Sequence, residues 1–357
     1  MNTSEPMDYI IVGQGLAGSC LALQMAYRNK RFIVFDQPKD NHASSVAAGL
    51  FNPITGRVLA KTWMADILFP YLTRFYSGAE QFLNRNFFFP KPLYRPFVSI
   101  EEQNEWMAKS ADPSFAGYIK RVFLSPSLGH VHDPLGGLLV KQSGYLEVDV
   151  FVESIREYLT EKNLYREERL DERKLKIGEA GIQYGDLEAG KIILCTGIDI
   201  LDSPYFSWLP VKPLKGEVLQ IKMDPVDYIY NRGVYVVPGR SKNEYTVGAT
   251  YDFHNRRPEI TREGRIELET KLGELIRQPY SIHKQNWGIR PTTIDQKVIA
   301  GPHPEWPNII IFNGLGTKGV SLAPYFSERL TEWMEEGIDL PGEVNIKRFK
   351  SLYSNVE

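Results

Sequence analysis

The sequence predicts an α/β fold in which a parallel sheet covered by helices is interrupted by a separate antiparallel sheet. Residues 8–12, which are apolar after Asp8, indicate a buried strand, and residues 191–197 and 308–312 repeat that pattern far along the chain. Runs that are apolar throughout are typical of parallel strands buried on both faces. The short, closely spaced pattern of antiparallel strands occurs between them, at residues 216–222, 233–238 and 245–250.

A glycine-rich turn follows the first strand, with the sequence Gly13-Gln14-Gly15-Leu16-Ala17-Gly18. In such a turn Gly13 permits the sharp bend, Gly15 lets the backbone approach a pyrophosphate, and Gly18 lets the next helix pack on the sheet. The helix predicted over residues 16–27 presents free N–H groups and a positive dipole end to the phosphates. Asp36 ends the next strand pattern, at the position where a carboxylate accepts a hydrogen bond from a ribose hydroxyl. This context predicts a dinucleotide site; the alternative is a glycine-rich loop of an unrelated α/β domain.

The other elements divide the chain into interleaved segments. Small residues over 44–53 suit a backbone that passes close to a flat or bulky group, or else a tight helix–sheet crossing. Residues 87–139 are punctuated by aromatic residues and proline and include a strand pattern at 93–100. Helices are predicted from residue 101, after a turn within 144–160, over 267–277 and over 320–335. We therefore predict one discontinuous domain of residues 1–86, 144–215 and 285–357, with an inserted domain of residues 87–143 and 216–284.

Composition narrows the function classes. The 357 residues carry a net charge of −2, so no overall positive field recruits nucleic acid or an anionic membrane. No apolar run approaches the roughly 20 residues of a membrane span, and the polar first six residues are unlike a signal peptide. Cys20 and Cys195 are interpreted as small apolar core residues. Two such cysteines do not form a disulfide framework, which suits a reducing compartment. We expect a cytoplasmic protein with no membrane partner.

Taken in order, these motifs resemble the D-amino-acid oxidase and glycine oxidase family of FAD enzymes. The family's ADP-binding turn and ribose acid resemble residues 13–18 and Asp36, and its flavin segments resemble residues 45–50 and 194–197. Its crossover into the substrate sheet resembles residues 213–217, and its substrate-facing strands resemble residues 235–238 and 247–250. Its Leu-Arg-Pro turn resembles residues 287–291. The closing residues 314–324 are most similar to the FAD domain of bifunctional enzymes that mature the wobble uridine of tRNA. The resemblance implies a Rossmann-like FAD-binding domain with an inserted antiparallel-sheet substrate domain.

The same resemblance implies a set of FAD contacts and the way in which FAD is held. Some relatives attach FAD through a His where this chain has Val46, and others through a Cys near the C-terminal flavin segment, whereas no Cys follows Cys195 here. We therefore expect FAD to be bound without a covalent bond. The implied contact residues are Gly13, Gly15, Leu16, Ala17, Gly18, Asp36, Ser45, Ala48, Gly49, Leu50, Thr196, Gly197, Gly314, Leu315, Gly316, Thr317, Lys318 and Gly319.

The implied reaction is oxidation of the C–N bond of a small amino acid or N-substituted glycine, with oxygen or another electron acceptor completing the cycle. Three residues are the candidates for catalysis. Arg290 suits two parallel hydrogen bonds to a substrate carboxylate; the alternative is a surface arginine paired with an acid. The Tyr235 hydroxyl would reach the carboxylate or the amine; the alternative is a core tyrosine. Lys318 would add positive charge where the backbone N–H groups of residues 315–319 face the flavin, or it would bind the substrate carboxylate. The alternative is a lysine exposed to solvent.

Several other hypotheses remain open from the sequence. The same chemistry on a carboxymethylaminomethyl group of tRNA, a flavin-binding protein without turnover, and a nicotinamide dehydrogenase are alternatives. Thr246 stands near where sarcosine-oxidising relatives carry a lysine that activates oxygen, so the electron acceptor stays undecided. His130 and His132 are predicted on one strand face of a solvated hairpin rather than in a metal site, since no third ligand is evident.

Overall fold

The computed structural model describes residues 6–38, 43–55, 60–179, 181–253 and 257–353. Over these residues the strands are β1 (Met7–Val12), β2 (Phe32–Asp36), β3 (Leu50–Phe51), β4 (Ile54–Thr55), β5 (Ala60–Lys61), β6 (Phe88–Pro90), β7 (Leu93–Pro96), β8 (Ile119–Phe123), β9 (Gly137–Val140), β10 (Gly144–Leu146), β11 (Tyr165–Glu167), β12 (Lys176–Gly178), β13 (Gly181–Tyr184), β14 (Leu187–Leu194), β15 (Val211–Met223), β16 (Ile229–Arg232), β17 (Val234–Pro238), β18 (Glu244–Gly248), β19 (Tyr280–Thr293), β20 (Ile299–Pro302) and β21 (Ile309–Asn313). The α-helices are α1 (Leu16–Tyr27), α2 (Ala43–Val46), α3 (Ala65–Leu83), α4 (Ile100–Ser110), α5 (Val148–Glu161), α6 (Arg262–Leu275), α7 (Gly319–Glu336) and α8 (Lys350–Tyr353). Short 3₁₀ helices span Pro113–Phe115, Glu172–Lys174, Gly197–Asp202 and Ile346–Phe349.

A parallel sheet forms one half of the molecule. Its five parallel strands run in the order β11-β2-β1-β14-β21, so segments far apart in the chain become neighbours. Strand β20 extends this sheet antiparallel to β21, and the β12–β13 hairpin pairs with the first half of β14. Helices α1 and α7 pack together over one face of this sheet, which buries β1 and β21 almost completely. The predicted parallel α/β arrangement is confirmed.

A mixed sheet of eight strands forms the other half, in the order β19-β15-β18-β17-β16-β7-β9-β8. We predicted an antiparallel sheet; every pair is antiparallel except β16 with β7, which run parallel. One face of the sheet is covered by α6, whose buried Leu268 and Leu272 join a separate core with Leu219 and Val247. The opposite face is turned toward the parallel sheet, and the space between the two sheets holds the candidate site.

One helix and one strand differ from the sequence predictions. Helix α3 was not predicted, although its buried Leu68, Leu72, Phe75 and Ala79 follow helical spacing on one face. The segment 287–291, predicted as a turn, lies inside the 14-residue strand β19, because it pairs residue by residue with β15.

The predicted domain limits at 215/216 and 284/285 fall inside the continuous strands β15 and β19. Strand β15 begins and the antiparallel β19 ends at the paired residues Val211 and Thr293, so both strands cross the predicted limits without a linker. The division into two domains stays a prediction.

The predicted strand carrying both imidazoles is wrong. His130 and His132 lie in a loop where Val131 makes an isolated bridge to Ile276. The His130 ring contacts the Tyr230 hydroxyl at 2.5 Å, whereas the His132 ring accepts from Arg277 Nε at 3.1 Å, so the two rings have different neighbours. Among the described residues, no helix is both long and apolar enough to cross a membrane.

Candidate active site

A cavity of about 1590 Å³ lies between the parallel sheet and the mixed sheet. Its walls come from the turn after β1, the segment around α2, the end of β14, strands β17 and β19, and the turn before α7. This volume exceeds the roughly 300–1,000 Å³ of common small-molecule pockets. The cavity therefore has room for an extended dinucleotide and a second, smaller molecule.

The glycine turn after β1 is packed tightly against its neighbours. Gly13 has a φ of +93°, and a Cβ there would lie 2.6 Å from the carbonyl oxygen of Cys195 on the neighbouring strand. A Cβ at Gly18 would lie 1.9 Å from the carbonyl oxygen of Gly13, so only glycine lets α1 approach this closely. Gly15, Leu16 and Ala17 line the cavity, whereas Gly18 lies behind them as a packing residue.

The start of α1 is open toward the cavity. The N-cap residue is Gly15, which has no side chain to cap the helix, and the Leu16 N–H donates to Ser44 Oγ at 3.1 Å. The N–H groups of Ala17 and Gly18 donate to no acceptor within the part of the chain that the structure describes. Free helix N-terminal N–H groups and the helix dipole together attract a phosphate group.

Asp36 lies at the end of β2 beside the same turn. Its side chain is 7% exposed, and Oδ1 accepts from the Gln14 backbone N–H at 2.9 Å. Gln14 is held in turn by Ser19, by the Val152 carbonyl and by Arg156. The carboxylate is thus fixed at the cavity wall with its second oxygen available to a ligand hydroxyl.

The segment around α2 forms the next part of the wall. Ala48, Gly49 and Leu50 line the cavity. Glycine is required at position 49 for two reasons, since its φ is +68° and a Cβ there would lie 1.8 Å from the Leu146 carbonyl oxygen. Ser45, which was predicted to contact FAD, is exposed and does not line the cavity. Its neighbour Ser44 lines the cavity instead and bonds the start of α1.

Thr196 and Gly197 follow β14 and line the cavity at the edge of the parallel sheet. The Thr196 Oγ1 is buried and has no hydrogen-bond partner among the described residues. A buried hydroxyl without a partner is costly, because it has lost water and gained nothing in exchange. It is therefore a group that a bound ligand would satisfy.

The turn before α7 brings four of its predicted residues to the cavity, and Gly319 follows at the first position of the helix. The cavity is lined here by Leu315, Gly316, Thr317, Lys318 and Gly319. Gly314 lies behind them, where a Cβ would be 2.7 Å from Thr293 Cγ2. Not all of the five predicted N–H groups are available. The Gly316 N–H donates to the Pro291 carbonyl at 3.0 Å, and the Lys318 N–H donates to the Leu315 carbonyl at 3.2 Å. Within the described residues, the other three N–H groups have no acceptor.

Lys318 is half-buried at the cavity wall. Burial lowers the pKa of its ammonium group, and no acidic side chain among the described residues forms an ion pair with it. A partly desolvated ammonium without a counter-ion is stabilised by any anion that enters the cavity.

Arg290 lies on the opposite wall, on β19. Its guanidinium passes directly over Gly216 of β15, where a Cβ would lie 2.2 Å from Nη1. Nη1 is buried and has no hydrogen-bond partner among the described residues, and no carboxylate there forms an ion pair with this side chain. The interpretation as a surface arginine paired with an acid is therefore not supported. The group is a half-buried cation that faces the cavity, and none of the described carboxylates is paired with it.

Tyr235 lies beside Arg290 on the same face of the mixed sheet. It pairs across the sheet with Gly248, where a Cβ would lie 2.7 Å from the tyrosine hydroxyl. Burial raises the pKa of Tyr235 to about 12, although the nearby Arg290 charge lowers it in part. The hydroxyl therefore stays protonated at neutral pH and is available as a hydrogen-bond donor.

Three residues of this wall were missed by reading the sequence. Gly216 and Gly248 make the room that the Arg290 and Tyr235 side chains occupy, and Tyr251 lies with its ring 5.6 Å from the Arg290 guanidinium carbon. The two glycines carry a sequence signal, because a glycine inside a strand indicates close approach of another group. Tyr251 is 61% exposed and carries no such signal.

The residues of the cavity fit FAD. Open N–H groups and Asp36 suit its diphosphate and ribose, and the unpartnered Thr196 hydroxyl and the turn before α7 suit the polar edge of a flavin. Beyond this stretch lie Tyr235 and Arg290, which suit a carboxylate. The fold and the site together define a dinucleotide-dependent oxidoreductase.

Comparison with known proteins names the family. The family described as FAD dependent oxidoreductase (DAO) matches residues 8–333, and this chain belongs to it. FAD is accordingly its cofactor, and the predicted fold and enzyme class are confirmed.

Similar proteins occur among both sequences and solved structures. The bifunctional protein ThiO/ThiG of Synechocystis sp. is 24% identical over 352 residues, which cover 89% of this chain and 50% of that protein. The tRNA 5-methylaminomethyl-2-thiouridine biosynthesis bifunctional protein MnmC of Legionella pneumophila is 22% identical, over 93% of this chain and 54% of that protein. This chain thus spans about half the length of these relatives.

Solved structures share the fold at low identity. Iminodiacetate oxidase from Chelativorans sp. BNC1 superimposes with a TM-score of 0.76 at 19% identity, covering 96% of this chain and 98% of that one. Glycine oxidase from Geobacillus kaustophilus gives the same TM-score and identity, covering 93% and 95%. At this identity the likeness supports the fold alone.

Proposed function

We propose that this protein oxidises the C–N bond of a small amino acid or an N-substituted glycine. The observation that carries the proposal is the half-buried Arg290 side chain, which faces the cavity beside Tyr235 and whose buried Nη1 has no hydrogen-bond partner among the described residues. A planar guanidinium is suited to two parallel hydrogen bonds with a carboxylate. The names of relatives that act on glycine and on iminodiacetate agree with a substrate in which an acid lies next to the amine.

Arg290 and Tyr235 would bind and orient the substrate. The guanidinium holds the carboxylate, and the protonated Tyr235 hydroxyl donates a further hydrogen bond to it or to the amine. Fixing the carboxylate also fixes the neighbouring carbon, which lowers the entropic part of the barrier. Bound FAD would supply the acceptor for the hydride that leaves this carbon.

The electrons and protons of the reaction balance without a side-chain base. The substrate amine is bound neutral, and its lone pair forms the new C=N bond as the hydride leaves the carbon. The N–H proton is released to water, and a water molecule then adds to the imine and gives a carbonyl compound and an amine. No Asp, Glu or His is assigned a proton-transfer role.

Lys318 and the turn before α7 would stabilise negative charge. The N–H groups of Leu315, Thr317 and Gly319 and the Lys318 ammonium form a preorganised positive region at one end of the cavity. Such groups act most strongly on charge that develops during the reaction. Lys318 contributes here or to the substrate carboxylate, and the pH dependence of activity in the presence and absence of its charge distinguishes these roles from exposure to solvent.

The remaining features of the proposal concern the cofactor linkage, the oxidant and the compartment. We infer non-covalent FAD, oxygen or another acceptor as the oxidant, and a cytoplasmic location. Val46 supports the first of these, because its side chain packs at 3.5 Å from the Cβ position of Gly288 and offers no atom for a covalent bond. Denaturing the protein and filtering it should release FAD into the filtrate.

The main test is anaerobic reduction of the bound flavin. A panel of glycine, larger amino acids and N-alkylglycines is mixed with the protein without oxygen, and the loss of visible flavin absorbance is followed. We expect at least one compound to bleach the flavin. Absence of bleaching by every compound would favour a flavin-binding protein without turnover and would overturn the proposal.

Matched variants assign the carboxylate site. Arg290→Gln should raise the substrate concentration for half-maximal bleaching by on the order of 100-fold, because a charge-assisted, bidentate contact is lost. Lys284→Gln removes one positive charge from an exposed position of the same strand outside the cavity and serves as the control. Equal effects of the two substitutions would contradict the role of Arg290.

Oxidation of a carboxymethylaminomethyl group on a tRNA wobble uridine is the second candidate. It is favoured by the similarity to the MnmC proteins and by the closing residues 314–324. The net charge of −2 provides no general attraction to tRNA. Mass spectrometry of wobble uridines from a deletion strain decides, since unchanged nucleosides would remove this candidate.

A further inference from the structure

An exposed aromatic ring, that of Tyr251, lies at the outer end of the Arg290 side chain. Tyr251 lines the cavity although it is 61% exposed, whereas Arg290 and Tyr235 are half-buried. The ring centre is 5.6 Å from the Arg290 guanidinium carbon, which is within the range of a cation–π contact. The proposed reaction gives this ring no role.

The backbone at Tyr251 is held in place by an irregularity of the mixed sheet. Strand β18 leaves its register with β15 after Gly248, and the pairing resumes at Asp252, one residue later than a regular strand allows. On either side of Tyr251, the N–H groups of Thr250 and Asp252 donate to carbonyl oxygens of β15 at 3.1 and 3.0 Å. An extra residue of this kind redirects the side chains next to it. The sheet therefore fixes the position from which the Tyr251 ring extends to the entrance of the cavity.

Three side chains converge above β15 and β18. The Arg290 side chain comes from β19 and passes over Gly216 of β15, while the Tyr235 hydroxyl comes from β17 and lies over Gly248 of β18. Burial raises the pKa of Tyr235 to about 12, against the effect of Arg290 and with a contribution from Tyr251, so the three groups are close enough to interact. A carboxylate bound by Arg290 and Tyr235 therefore has Tyr251 as a neighbour.

The exposed face of the Tyr251 ring is apolar surface that a ligand can cover. Aromatic rings are stabilised by burial, and a ring in water at the entrance of a cavity gains that stabilisation when an apolar group packs on it. The residues that suit FAD belong to the parallel sheet and the segments beside it, whereas Tyr251 belongs to a segment paired with the mixed sheet. The ring is accordingly on the substrate's side of the cavity.

We propose that Tyr251 forms an apolar subsite at the entrance of the cavity, which binds an apolar group of the substrate while Arg290 and Tyr235 hold its carboxylate. This inference rests on the proposed function and narrows its substrate class to amino acids or N-substituted glycines with an apolar group on the amine or on the carbon beside it. Tyr251 is then a specificity-determining residue and takes no part in the transfer of the hydride.

The test measures the binding of analogues that are not oxidised. Thioethers, in which sulfur replaces the amine, cannot form an imine and report on the site alone. One series carries a variable group on the sulfur of a carboxymethyl thioether, and a second carries it on the carbon between a methylthio group and the carboxylate. The variable group is methyl, propyl, 2-hydroxyethyl or benzyl, and calorimetry with the FAD-loaded protein gives the Kd of each compound.

The expected result is a preference for apolar groups in at least one series. The benzyl compound should bind on the order of 10-fold more tightly than the methyl compound, because its ring and that of Tyr251 leave water together. The propyl compound should bind more tightly than the 2-hydroxyethyl compound, which has the same length but a polar end.

Three variants connect this preference to the Tyr251 ring. Tyr251→Ala should reduce the ratio of the methyl to the benzyl Kd to about one, and Tyr251→Phe, which keeps the ring, should retain the ratio. The matched control Phe253→Ala removes a ring that is 49% exposed two residues further along and outside the cavity, and it should leave the ratio unchanged. A change in the Arg290 contact affects all compounds alike and cancels in the ratio. Thermal melting and flavin content check that each variant is folded and loaded.

Each outcome has a distinct meaning. Equal Kd values for the methyl and benzyl compounds in both series, or weaker binding of the benzyl compounds, would overturn the apolar subsite. A preference that survives in a folded Tyr251→Ala protein, or that Phe253→Ala removes equally, would overturn its assignment to Tyr251. The proposed function fails separately, if Arg290→Gln leaves the Kd of every compound unchanged.

Discussion

Gly216 is the position at which a single methyl group should separate folding from function. The backbone at Gly216 is not in the left-handed region, so alanine meets no backbone strain there. The added Cβ would lie 2.2 Å from Nη1 and 2.6 Å from Cζ of Arg290. To restore an ordinary contact, the guanidinium must move by about 1 Å, and it can do so because it is the end of a flexible side chain. A displacement of about 1 Å at a positioning group costs on the order of 100-fold in rate, or about 2.7 kcal/mol.

Gly216→Ala is therefore expected to fold, to bind FAD and to lose about 100-fold in kcat/KM for the best substrate of the anaerobic panel. Thermal melting and the ratio of flavin to protein absorbance check folding and FAD content. Gly273→Ala in α6 is the matched control, because no atom lies within 4 Å of its Cβ position, and it should leave kcat/KM unchanged. A Gly216→Ala protein whose kcat/KM stays within about threefold of the unmodified value would refute the reasoning about Arg290.

Three further predictions concern other parts of the cavity. Tyr235→Phe should lower kcat/KM by on the order of 10-fold, because the protonated hydroxyl no longer donates a hydrogen bond. The factor should be the same at every pH from neutral up to the Tyr235 pKa of about 12, since the hydroxyl keeps its proton in this range. A factor that changes with pH would contradict this role. Burial lowers the pKa of Lys318, so its charge is lost at a lower pH than that of an ordinary lysine, and activity should fall as the pH rises through that pKa. Lys318→Met should abolish this alkaline decline in activity. A decline that persists in the Lys318→Met protein would show that Lys318 takes no part in the reaction. Asp36→Asn should weaken FAD binding by on the order of 10-fold, since a charge-assisted bond to a hydroxyl is lost, as measured by flavin fluorescence titration; an unchanged Kd would argue against the ribose contact.

The agreement between sequence and structure is best where the signal is local. Helix α1 spans Leu16–Tyr27 as predicted, and α7 spans Gly319–Glu336, one residue longer at each end than predicted. The glycine turn and Asp36 are separated by one helix and one strand, so a short stretch of sequence contains the whole unit. The 19-residue helix α3 was missed because its pattern is interrupted by Pro70, although the spacing of its buried residues is helical.

The site itself could be predicted only in part. Arg290 and Tyr235 were identified through their resemblance to a family, and their roles stay predictions until the variants are measured. Ser45 was placed at the cofactor from its position in a motif, yet it is exposed, while Ser44 beside it bonds the start of α1. A short helix turns neighbouring side chains in directions about 100° apart, so a motif match one residue away does not locate the contact.

The sequence by itself determined that this chain binds a dinucleotide and alternates between two kinds of sheet, because these properties follow from patterns within a few tens of residues. Only the tertiary structure decided which side chains share the cavity. Gly216 and Arg290 are 74 positions apart in the sequence and meet through the β15–β19 pairing. Tyr251 joins Arg290 only because the segment after β18 is held beside β15. Strand register is a property of the folded sheet, and it places residues together that no local pattern connects.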